Sequence, residues 1–508
     1  MGAKTDFFQS QIGGVDIINY SYTDLPWKLL AKDVYYFFVY SWALPWILYP
    51  ILKFGSGPLD EMYPTRQNLL CIATHCVLAV LQLGFIVALP FTIFLPVWTV
   101  IVGIAGFLTA NHLIAAIFLN GKSETYTSDP EYAEESPEHA HEQWIFLNGV
   151  AVGEHWLQNN LNRLAITFKR PVLGIHNRTR GVIFDVVECL VQRNFSYATG
   201  DIRSTYRVLK KVLYDPSKSK VVFICHSQGG IEGSLVLDWL LQELPQDLLS
   251  KLEVYTFGNA ANHFNNPHRH MSSQKIVQLK PLEAMSTVYE ETSGLSQKAN
   301  PAKDERRSNG PRVQVPPSLP YESSTSSSRN TAAVDKAIGY IEHYAHTTDF
   351  VAIWGVLHFS TNKTKGNQIP RFMGRLFARS TRQGGHQFNQ HYLDGMFPLE
   401  FDVKTGKPTG AKEDNVFMEE SVKQGTAGAA EDNVREAIEI SYAGTRGFGT
   451  GEITTPVEVH GVFKKGLRGE DVRVKDMSRL WSYRNGGFPD EVPPLLVSGA
   501  GIVRNATM

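Results

Sequence analysis

The sequence is poor in cysteine and has no excess of charge of either sign. Its four cysteines, among 508 residues, are too few for a disulfide framework or a cysteine-rich metal site. The 49 basic and 50 acidic residues almost cancel, so the chain lacks the positive field that draws proteins onto nucleic-acid phosphates. These shortages exclude a disulfide-stabilised scaffold, argue against nucleic acid as a partner, and fit a reducing compartment.

Charge is missing altogether from one long stretch, between Gln67 and Asn120. This stretch contains two apolar runs, at residues 69–92 and 93–119, with a turn near Pro90 and Pro96. A helix needs about 20 apolar residues to cross the hydrocarbon core of a bilayer. Two buried core helices are the alternative, but a soluble domain rarely needs two such runs side by side. Residues 67–120 are therefore predicted to form a transmembrane helical hairpin.

The segment before the hairpin, residues 1–66, has a mixed character. Its apolar part, residues 34–54, is crowded with Tyr and Trp and contains two prolines, which suits the headgroup zone as well as a membrane span. The stretch lies too far into the chain to be a cleaved secretory signal. Basic residues precede the hairpin and acidic residues follow it, so the chain should start in the cytosol. An integral membrane protein with a cytosolic main domain is expected if the hairpin alone spans.

After residue 140 the pattern changes to short apolar runs that alternate with helical periodicity. Runs at 144–150, 171–175, 220–225 and 252–257 suit buried parallel strands, and residues 201–215 and 231–244 repeat apolar side chains at helical spacing. This alternation predicts an α/β domain with a doubly wound, mostly parallel sheet. We place the domain at residues 140–410.

Two segments do not follow the alternation. Residues 296–336 are rich in Ser, Pro, Asn, Lys and Arg, and they cannot bury enough apolar surface to repay their ordering entropy. They are predicted to be a disordered insertion in the domain. The tail, residues 411–508, is Gly-rich and polar, with one stretch at 472–484 that is apolar enough to form a docked helix.

A candidate nucleophile lies where a predicted strand meets a predicted helix. Ser227 follows the run 221–226 and precedes Gln228-Gly-Gly, the small-residue turn that presents a serine hydroxyl at the carboxyl edge of a sheet. Gly229 supplies the glycine two places after the serine, but Cys225 stands two places before it, where glycine is expected. An ordinary Ser-Gly turn is the alternative, and the flanking strand and helix favour the nucleophile.

Serine needs a base that an acid orients, and in such sheets the three follow in the order Ser, Asp, His. Asp349 follows a predicted strand at 337–342 and is the candidate acid. His386 follows a predicted strand at 371–379 and precedes a helix-like stretch at 387–397, so it is the candidate base. A surface aspartate and a surface histidine are the alternatives for each residue alone. His391, inside the helix-like stretch, is expected to be structural.

The remaining parts of a hydrolytic site can also be placed. Two backbone N–H groups should hold the oxyanion, one from Gln228 and one from Val150 in the loop after the first strand of the domain. His343 and His346 could indicate a metal site, but no convincing third ligand accompanies them. No metal and no organic cofactor is therefore expected.

Six short motifs stand out between residues 140 and 400. They are Gly153-Glu-His-Trp-Leu-Gln, Gly174-Ile-His-Asn, His226-Ser-Gln-Gly-Gly, Val254-Tyr-Thr-Phe-Gly-Asn-Ala-Ala-Asn-His-Phe, Ile341-Glu-His-Tyr and Gly385-His-Gln-Phe-Asn-Gln-His-Tyr-Leu. Together they resemble the motifs of fungal membrane-associated, lipase-like α/β hydrolases, and Thr256-Phe-Gly258 is also similar to triacylglycerol lipases. The resemblance implies an α/β-hydrolase fold with the triad positions given above, but no particular substrate.

Together these features predict a membrane-anchored serine hydrolase that cleaves an ester or thioester through an acyl-enzyme. A membrane beside the site favours a lipid or acyl substrate. Two alternatives remain open: an acyltransferase with the same triad, and a non-catalytic membrane scaffold that keeps the fold.

Overall fold

The computed structural model describes residues 3–8, 10, 23–51, 54–279, 335–361, 372–424 and 473–489, with short strands at 288–289, 330–331, 497–498 and 501–502. The predicted disordered insertion, residues 296–336, falls almost entirely outside the described residues. The same holds for residues 425–472 of the predicted low-complexity tail.

The fold is α/β and is built on one sheet of nine strands, in the order β9-β1-β8-β7-β6-β5-β3-β4-β2. Neighbours from β8 to β4 all pair in parallel, whereas β1 pairs with β8, and β2 with β4, in antiparallel orientation. The strands are β1 (Lys4–Phe8), β2 (Thr125–Thr127), β3 (Glu142–Leu147), β4 (Val172–Ile175), β5 (Lys220–His226), β6 (Leu252–Phe257), β7 (Tyr340–His346), β8 (Arg375–Ser380) and β9 (Val422–Gln424).

Helices cover both faces of this sheet, as expected for a doubly wound arrangement. The longer ones are α1 (Pro26–Val39), α2 (Arg66–Ala88), α3 (Val97–Phe118), α4 (Glu154–Phe168), α5 (Val182–Phe195), α6 (Gly200–Leu213) and α7 (Gln228–Glu243). Shorter helices lie at Gln246–Leu249, Met271–Leu279, Phe350–Trp354, Val356–Thr361, Asp394–Met396, Val474–Met477 and Arg479–Ser482, with a π-helix at Phe388–Leu393.

Alternate side chains of the central strands enter two separate cores. Trp144 and Phe146 of β3 pack with apolar residues of α4, whereas Ile145 and Leu147 pack with residues of α6 and α7. Both faces of the strand are therefore buried, which is why these strands read as continuous apolar runs in the sequence. The parallel α/β sheet predicted from that pattern is confirmed.

The sheet also includes one strand from near the start of the described chain and one from after the predicted domain. Residues Lys4–Phe8 pair with β8, and Val422–Gln424 pairs in parallel with β1. These strands lie outside the range 140–410 predicted for the domain. Neither is long or strongly apolar, and each pairs with residues far away along the chain, so local sequence carries no signal for them. The docked segment predicted at 472–484 lies on the domain as two short helices rather than one.

Glu253 of β6 ties these C-terminal helices to the sheet. Its buried carboxylate accepts hydrogen bonds from the Arg479 guanidinium, 2.8 Å away, and from the Tyr483 hydroxyl, also 2.8 Å away. Burial alone would raise the pKa of Glu253, but Arg479 and Lys220 outweigh burial and lower that pKa to about 2. The ordinary value is 4.5, so the ionised carboxylate stabilises the folded protein.

We expect acid to remove this stabilisation. Because the folded pKa lies below the unfolded one, the contribution is complete above pH 4.5 and is lost as the pH falls toward 2. It amounts to about 3 kcal/mol, at 1.36 kcal/mol for each pKa unit. The variant Glu253→Gln should therefore unfold more easily at pH 7 and lose less stability between pH 5 and 2. Denaturant unfolding measures this, with Glu243→Gln as an exposed control. Equal acid sensitivity of Glu253→Gln and the wild type would contradict the assignment.

Two helical segments, Arg66–Phe94 and Val97–Phe118, are long and apolar enough to cross a membrane. Only 11% of the most apolar part of each is buried. A pair of core helices in a soluble domain would be mostly buried, so the low burial favours the membrane alternative. At the base of the hairpin, Asn68 accepts a hydrogen bond from Trp156 Nε1, at 2.9 Å, and so joins α2 to α4.

Candidate active site

Ser227 occupies a sharp turn between β5 and α7. Its backbone has φ 58° and ψ −121°, a conformation that a non-glycine residue adopts only when the surroundings enforce it. The turn requires glycine at position 229, because a Cβ there would lie only 2.6 Å from the carbonyl oxygen of Leu147. The strained serine between strand and helix is the geometry of a nucleophile elbow.

Cys225, the departure from the expected glycine pattern, is accommodated by a second glycine. A Cβ at Gly233 of α7 would lie 2.9 Å from the Cys225 sulfur. The missing glycine on the strand is thus replaced by an extra one on the helix, and helix and strand still approach closely. The sequence contained both residues, but their contact is visible only in the folded chain.

The structure brings together the three residues predicted as a triad. His386 Nε2 lies 2.9 Å from Ser227 Oγ, and His386 Nδ1 lies 2.9 Å from Asp349 Oδ2. Both distances are within hydrogen-bonding range. Ser227 is 2% exposed, His386 is 8% exposed and Asp349 is fully buried, so only the serine and histidine ends of the triad reach the surface.

Asp349 is held by more than its histidine. The Tyr392 hydroxyl donates to Asp349 Oδ2 at 2.6 Å, and the backbone N–H of Val351 donates to Oδ1 at 2.8 Å. Burial alone would raise the pKa of the Asp349 carboxyl, but His386 and the hydrogen bond from Tyr392 hold it below its ordinary value. The carboxylate is therefore ionised at neutral pH and can fix the orientation of the imidazole.

Close approach of the backbone makes room for the triad. Gly258, with φ 53°, lies under it, since a Cβ there would sit 2.7 Å from Asp349 Oδ2. Gly385 precedes the histidine, and a Cβ there would lie 2.5 Å from the carbonyl oxygen of Tyr49. A side chain at either glycine would displace a member of the triad or its neighbour.

His391, His343 and His346 have hydrogen-bond partners outside the triad. His391 Nδ1 accepts the backbone N–H of Gln387 at 2.9 Å, as expected for a residue that supports the loop. His343 Nδ1 lies 2.6 Å from Thr256 Oγ1, and His346 Nδ1 lies 3.0 Å from Gly385 O. Within the described residues no group of three or more His, Cys, Asp or Glu side chains could hold a metal ion.

The loop after β3 lies directly against the serine. A Cβ at Gly149 would be 2.4 Å from Ser227 Cβ, so only glycine fits there. Val150 follows it, and Gln228 is the first residue of α7, where the backbone N–H has no acceptor within the helix. Both predicted oxyanion donors thus flank Ser227. Their role in binding an oxyanion stays a prediction.

Asp185 of α5 holds this loop in place, which sequence analysis did not anticipate. Its buried carboxylate accepts the N–H of Ala151 at 3.0 Å, and Ala151 has a positive φ of 63°. The same carboxylate accepts Thr179 Oγ1 at 2.6 Å and the N–H of Arg180 at 2.7 Å. Because burial dominates, the pKa of Asp185 is raised to about 6.

Two further neighbours of the triad, His226 and Tyr392, were also missed. The ring of His226 stacks on that of His386 with centroids 4.8 Å apart, and its Nε2 lies 2.9 Å from His386 O. Burial lowers the pKa of His226 to about 3, so this ring is neutral and adds no charge to the site. Only its place beside the serine in the sequence could have suggested a role for His226.

Comparison with known proteins adds little. No protein-family model matches the chain, and no curated protein matches it. A solved structure of Trichoderma reesei cutinase, in complex with a C11Y4 phosphonate inhibitor, aligns with 36% of this chain and 79% of the cutinase chain. The identity is 17% and the TM-score is 0.19. A similarity at that level decides neither the fold nor the reaction, and the likeness to fungal lipase-like hydrolases remains one of motifs.

Proposed function

We propose that this chain is a serine hydrolase of the α/β-hydrolase type, which cleaves an ester or thioester at Ser227. One observation carries the proposal. The imidazole of His386 lies between Ser227 and Asp349, with Nε2 2.9 Å from the serine Oγ and Nδ1 2.9 Å from the buried carboxylate. A serine hydroxyl is a weak nucleophile unless an oriented base accepts its proton. The contacts supply that base and the acid that orients it.

The reaction follows from these positions. His386 Nε2 accepts the proton of Ser227 Oγ as the oxygen attacks the substrate carbonyl, and the N–H groups of Gln228 and Val150 stabilise the oxyanion. The imidazolium then gives its proton to the leaving alcohol or thiol, which departs and leaves an acyl-enzyme. Water, deprotonated by His386, releases the acid and regenerates Ser227. Asp349 stays ionised and stabilises the imidazolium throughout.

We also propose that the chain is anchored in a membrane, and the hairpin of α2 and α3 supports this. Both helices are apolar and little buried, so insertion into a bilayer explains a surface that water would not favour. The base of this hairpin also contacts the loop that leads away from the site, because Glu154 N donates to Leu119 O at 2.8 Å. A lipid or other acyl ester close to the membrane is therefore the favoured substrate.

Turnover of p-nitrophenyl esters with increasing acyl chain length, by the purified full chain, tests this function. Hydrolysis accompanied by labelling with a fluorophosphonate probe supports it, and a shift of product from free acid to acylated alcohol, when an alcohol acceptor is added, would indicate transferase activity instead. A folded protein that neither hydrolyses an ester nor takes up the probe would be a scaffold, and the proposal would fall.

The Asp185 contact to the oxyanion loop gives a further prediction. In Asp185→Ala the strained Ala151 loses its acceptor, so the Val150 N–H should drift from the oxyanion position. Loss of one such donor costs about 10²- to 10³-fold in kcat, and a displaced donor should cost about tenfold or more. The Michaelis constant should change little, since the effect falls on the transition state.

Steady-state kinetics check the expected loss of kcat. The variants to compare are Asp185→Ala and Asp185→Asn, with Glu188→Gln, a change at a neighbouring acid on the same helix, as the control. The asparagine keeps one acceptor oxygen and should recover part of the rate. A loss confined to KM, or an equal loss in Glu188→Gln, would show that Asp185 acts on folding or binding rather than on the loop.

A further inference from the structure

Helix α5 is polar on the inside and apolar on the outside, the reverse of an ordinary surface helix. Gln192, Arg193 and Asn194 are buried, and so is Asp185. The exposed positions, one turn apart, are Val187 at 47%, Val191 at 38% and Phe195 at 49%. A helix that faces water shows the opposite distribution.

Helix α1 lies beside α5 and has the same inverted character in its second half, whereas its first half exposes Lys28 and buries Leu29. Its buried Asp33 pairs with Arg193 of α5, whose Nε lies 2.9 Å from Asp33 Oδ2. From residue 34 to residue 51 the sequence contains no charged residue. The exposed side chains of this stretch are apolar or aromatic, and the largest are Tyr35, Phe38, Trp42, Leu48 and Tyr49.

These two helices continue the apolar surface of the hairpin. Gln82 of α2 donates to the carbonyl of Arg180 at 2.6 Å, and its side-chain oxygen accepts the N–H of Ile183 in the first turn of α5. Asn111 of α3 donates to the same carbonyl at 2.9 Å. Outside the hairpin and residues 25–51 and 187–197, the described residues expose only six large apolar side chains, which are scattered over the surface: Tyr214, Met271, Phe401, Val403, Val416 and Phe488.

The same docking contacts limit how far the hairpin can reach. Beyond Gln82 and Asn111 each arm has about 14 residues, which span about 21 Å at 1.5 Å per residue. The hydrocarbon core is about 30 Å thick, so the free arms fall about 9 Å short. Interfacial helices bury their apolar face about 5–10 Å into the boundary between headgroups and acyl chains, and such immersion of α1 and α5 would bring the hairpin deeper by a similar distance.

We infer that α1, the segment after it up to residue 51, and α5 form a membrane-facing surface that is immersed in one leaflet of the bilayer beside the hairpin. The aromatic side chains at its edge suit the headgroup zone. The occupant is the lipid leaflet itself, because the surface is continuous with two little-buried apolar helices that are long enough to cross a membrane.

This surface also adjoins the site, which bears on the substrate class and here rests on the proposed function. The first turn of α5 holds the oxyanion loop through Asp185, and the carbonyl oxygen of Ile47 accepts the Gln387 side chain at 3.1 Å next to His386. A long-chain ester that resides in the leaflet therefore reaches Ser227 from the lipid side, whereas a water-soluble ester does not need the surface.

Depth-dependent quenching tests the surface without any need for activity. Single cysteines are introduced at Phe195 and Phe38 in a Cys76→Ser background and labelled with bimane. The full chain is then reconstituted in phosphatidylcholine vesicles that contain nitroxide lipids. We expect quenching at least about threefold above that of a label at Tyr214, an exposed aromatic residue away from the surface. Val102, an exposed residue of α3 in the free arm of the hairpin, is the lipid reference.

The outcomes are distinct. Quenching at Val102 but not at Phe195 and Phe38 would overturn the membrane-facing surface and leave the hairpin inserted. No quenching at any position would overturn both the surface and membrane insertion. Quenching at all three membrane positions in a protein that hydrolyses no ester would support the surface while the proposed hydrolase function fails.

Charged substitutions test the consequence for the substrate. In Val191→Asp with Phe195→Asp, turnover of a long-chain ester presented in vesicles should fall about tenfold or more, because carboxylates resist immersion. Turnover of a soluble short-chain ester should stay unchanged, as should both activities in the control Tyr214→Asp. Equal turnover of the vesicle substrate by variant and wild type would overturn the inference.

Discussion

Replacement of Ser227 by alanine is expected to lower kcat by about 10⁶-fold and to abolish labelling by a fluorophosphonate. The substitution removes the oxygen that attacks the substrate and leaves only the acceleration of about 10³- to 10⁴-fold that binding and the oxyanion donors provide. The fold should survive, because the turn is set by the contacts of Gly229 with the β3 strand end rather than by the hydroxyl.

Ser234→Ala is the matched control for this experiment. Ser234 lies on the same helix, is 1% exposed, and donates its hydroxyl to the carbonyl of Ile231, 2.8 Å away, rather than to a member of the triad. It should keep its turnover and its labelling. Labelling of Ser227→Ala at the rate of the wild type would mean that another serine reacts, and the assignment would be wrong.

Replacement of His386 by alanine should be about as severe as the loss of the serine, since members of a triad act as a unit. The substitution removes the imidazole that hydrogen-bonds Ser227 Oγ, and Asp349 loses the ring that it orients. We expect kcat to fall by about 10⁶-fold with a small change in KM.

His391→Ala separates catalysis from folding at the same loop. His391 Nδ1 accepts the N–H of Gln387, and its Nε2 lies 3.2 Å from Pro50 O, so its loss should cost about 1–3 kcal/mol of stability through unpaired buried groups. Its turnover should remain within about tenfold of the wild type at matched folded fraction. An active His386→Ala beside an inactive His391→Ala would reverse the two roles.

Local sequence pattern was sufficient for the central part of the molecule. Residues 220–225 and 252–257 were predicted as strands and form β5 and β6 within one residue, because both strand faces are buried and the apolar run is unbroken. The elbow at Ser227 was visible for the same reason, since strand, serine and glycine are consecutive. Asp349 and His386 were proposed from chain order together with their positions just after predicted strands.

Predictions were less accurate where polar residues are buried. The strand before Asp349 was expected at 337–342 but runs from Tyr340 to His346. Its histidines look like loop residues in the sequence, and only their buried partners, Thr256 and Gly385, make them tolerable in a central strand. The stretch after His386, predicted as an ordinary helix, begins as a π-helix in which Tyr392 N donates to Gln387 O.

By itself, then, the sequence determined the elements and chemistry that depend on neighbouring residues: the apolar hairpin, the alternating strands and helices, and the order of serine, aspartate and histidine. Only the tertiary structure decided which distant groups meet. Asp185 accepts a hydrogen bond from Ala151, and Gly233 leaves room for the Cys225 side chain. Residues 4–8 pair with a strand more than 360 residues later in the chain. The inverted polarity of α5 was hidden for a related reason, because periodicity shows that a helix has two faces but not which of them the fold turns inward.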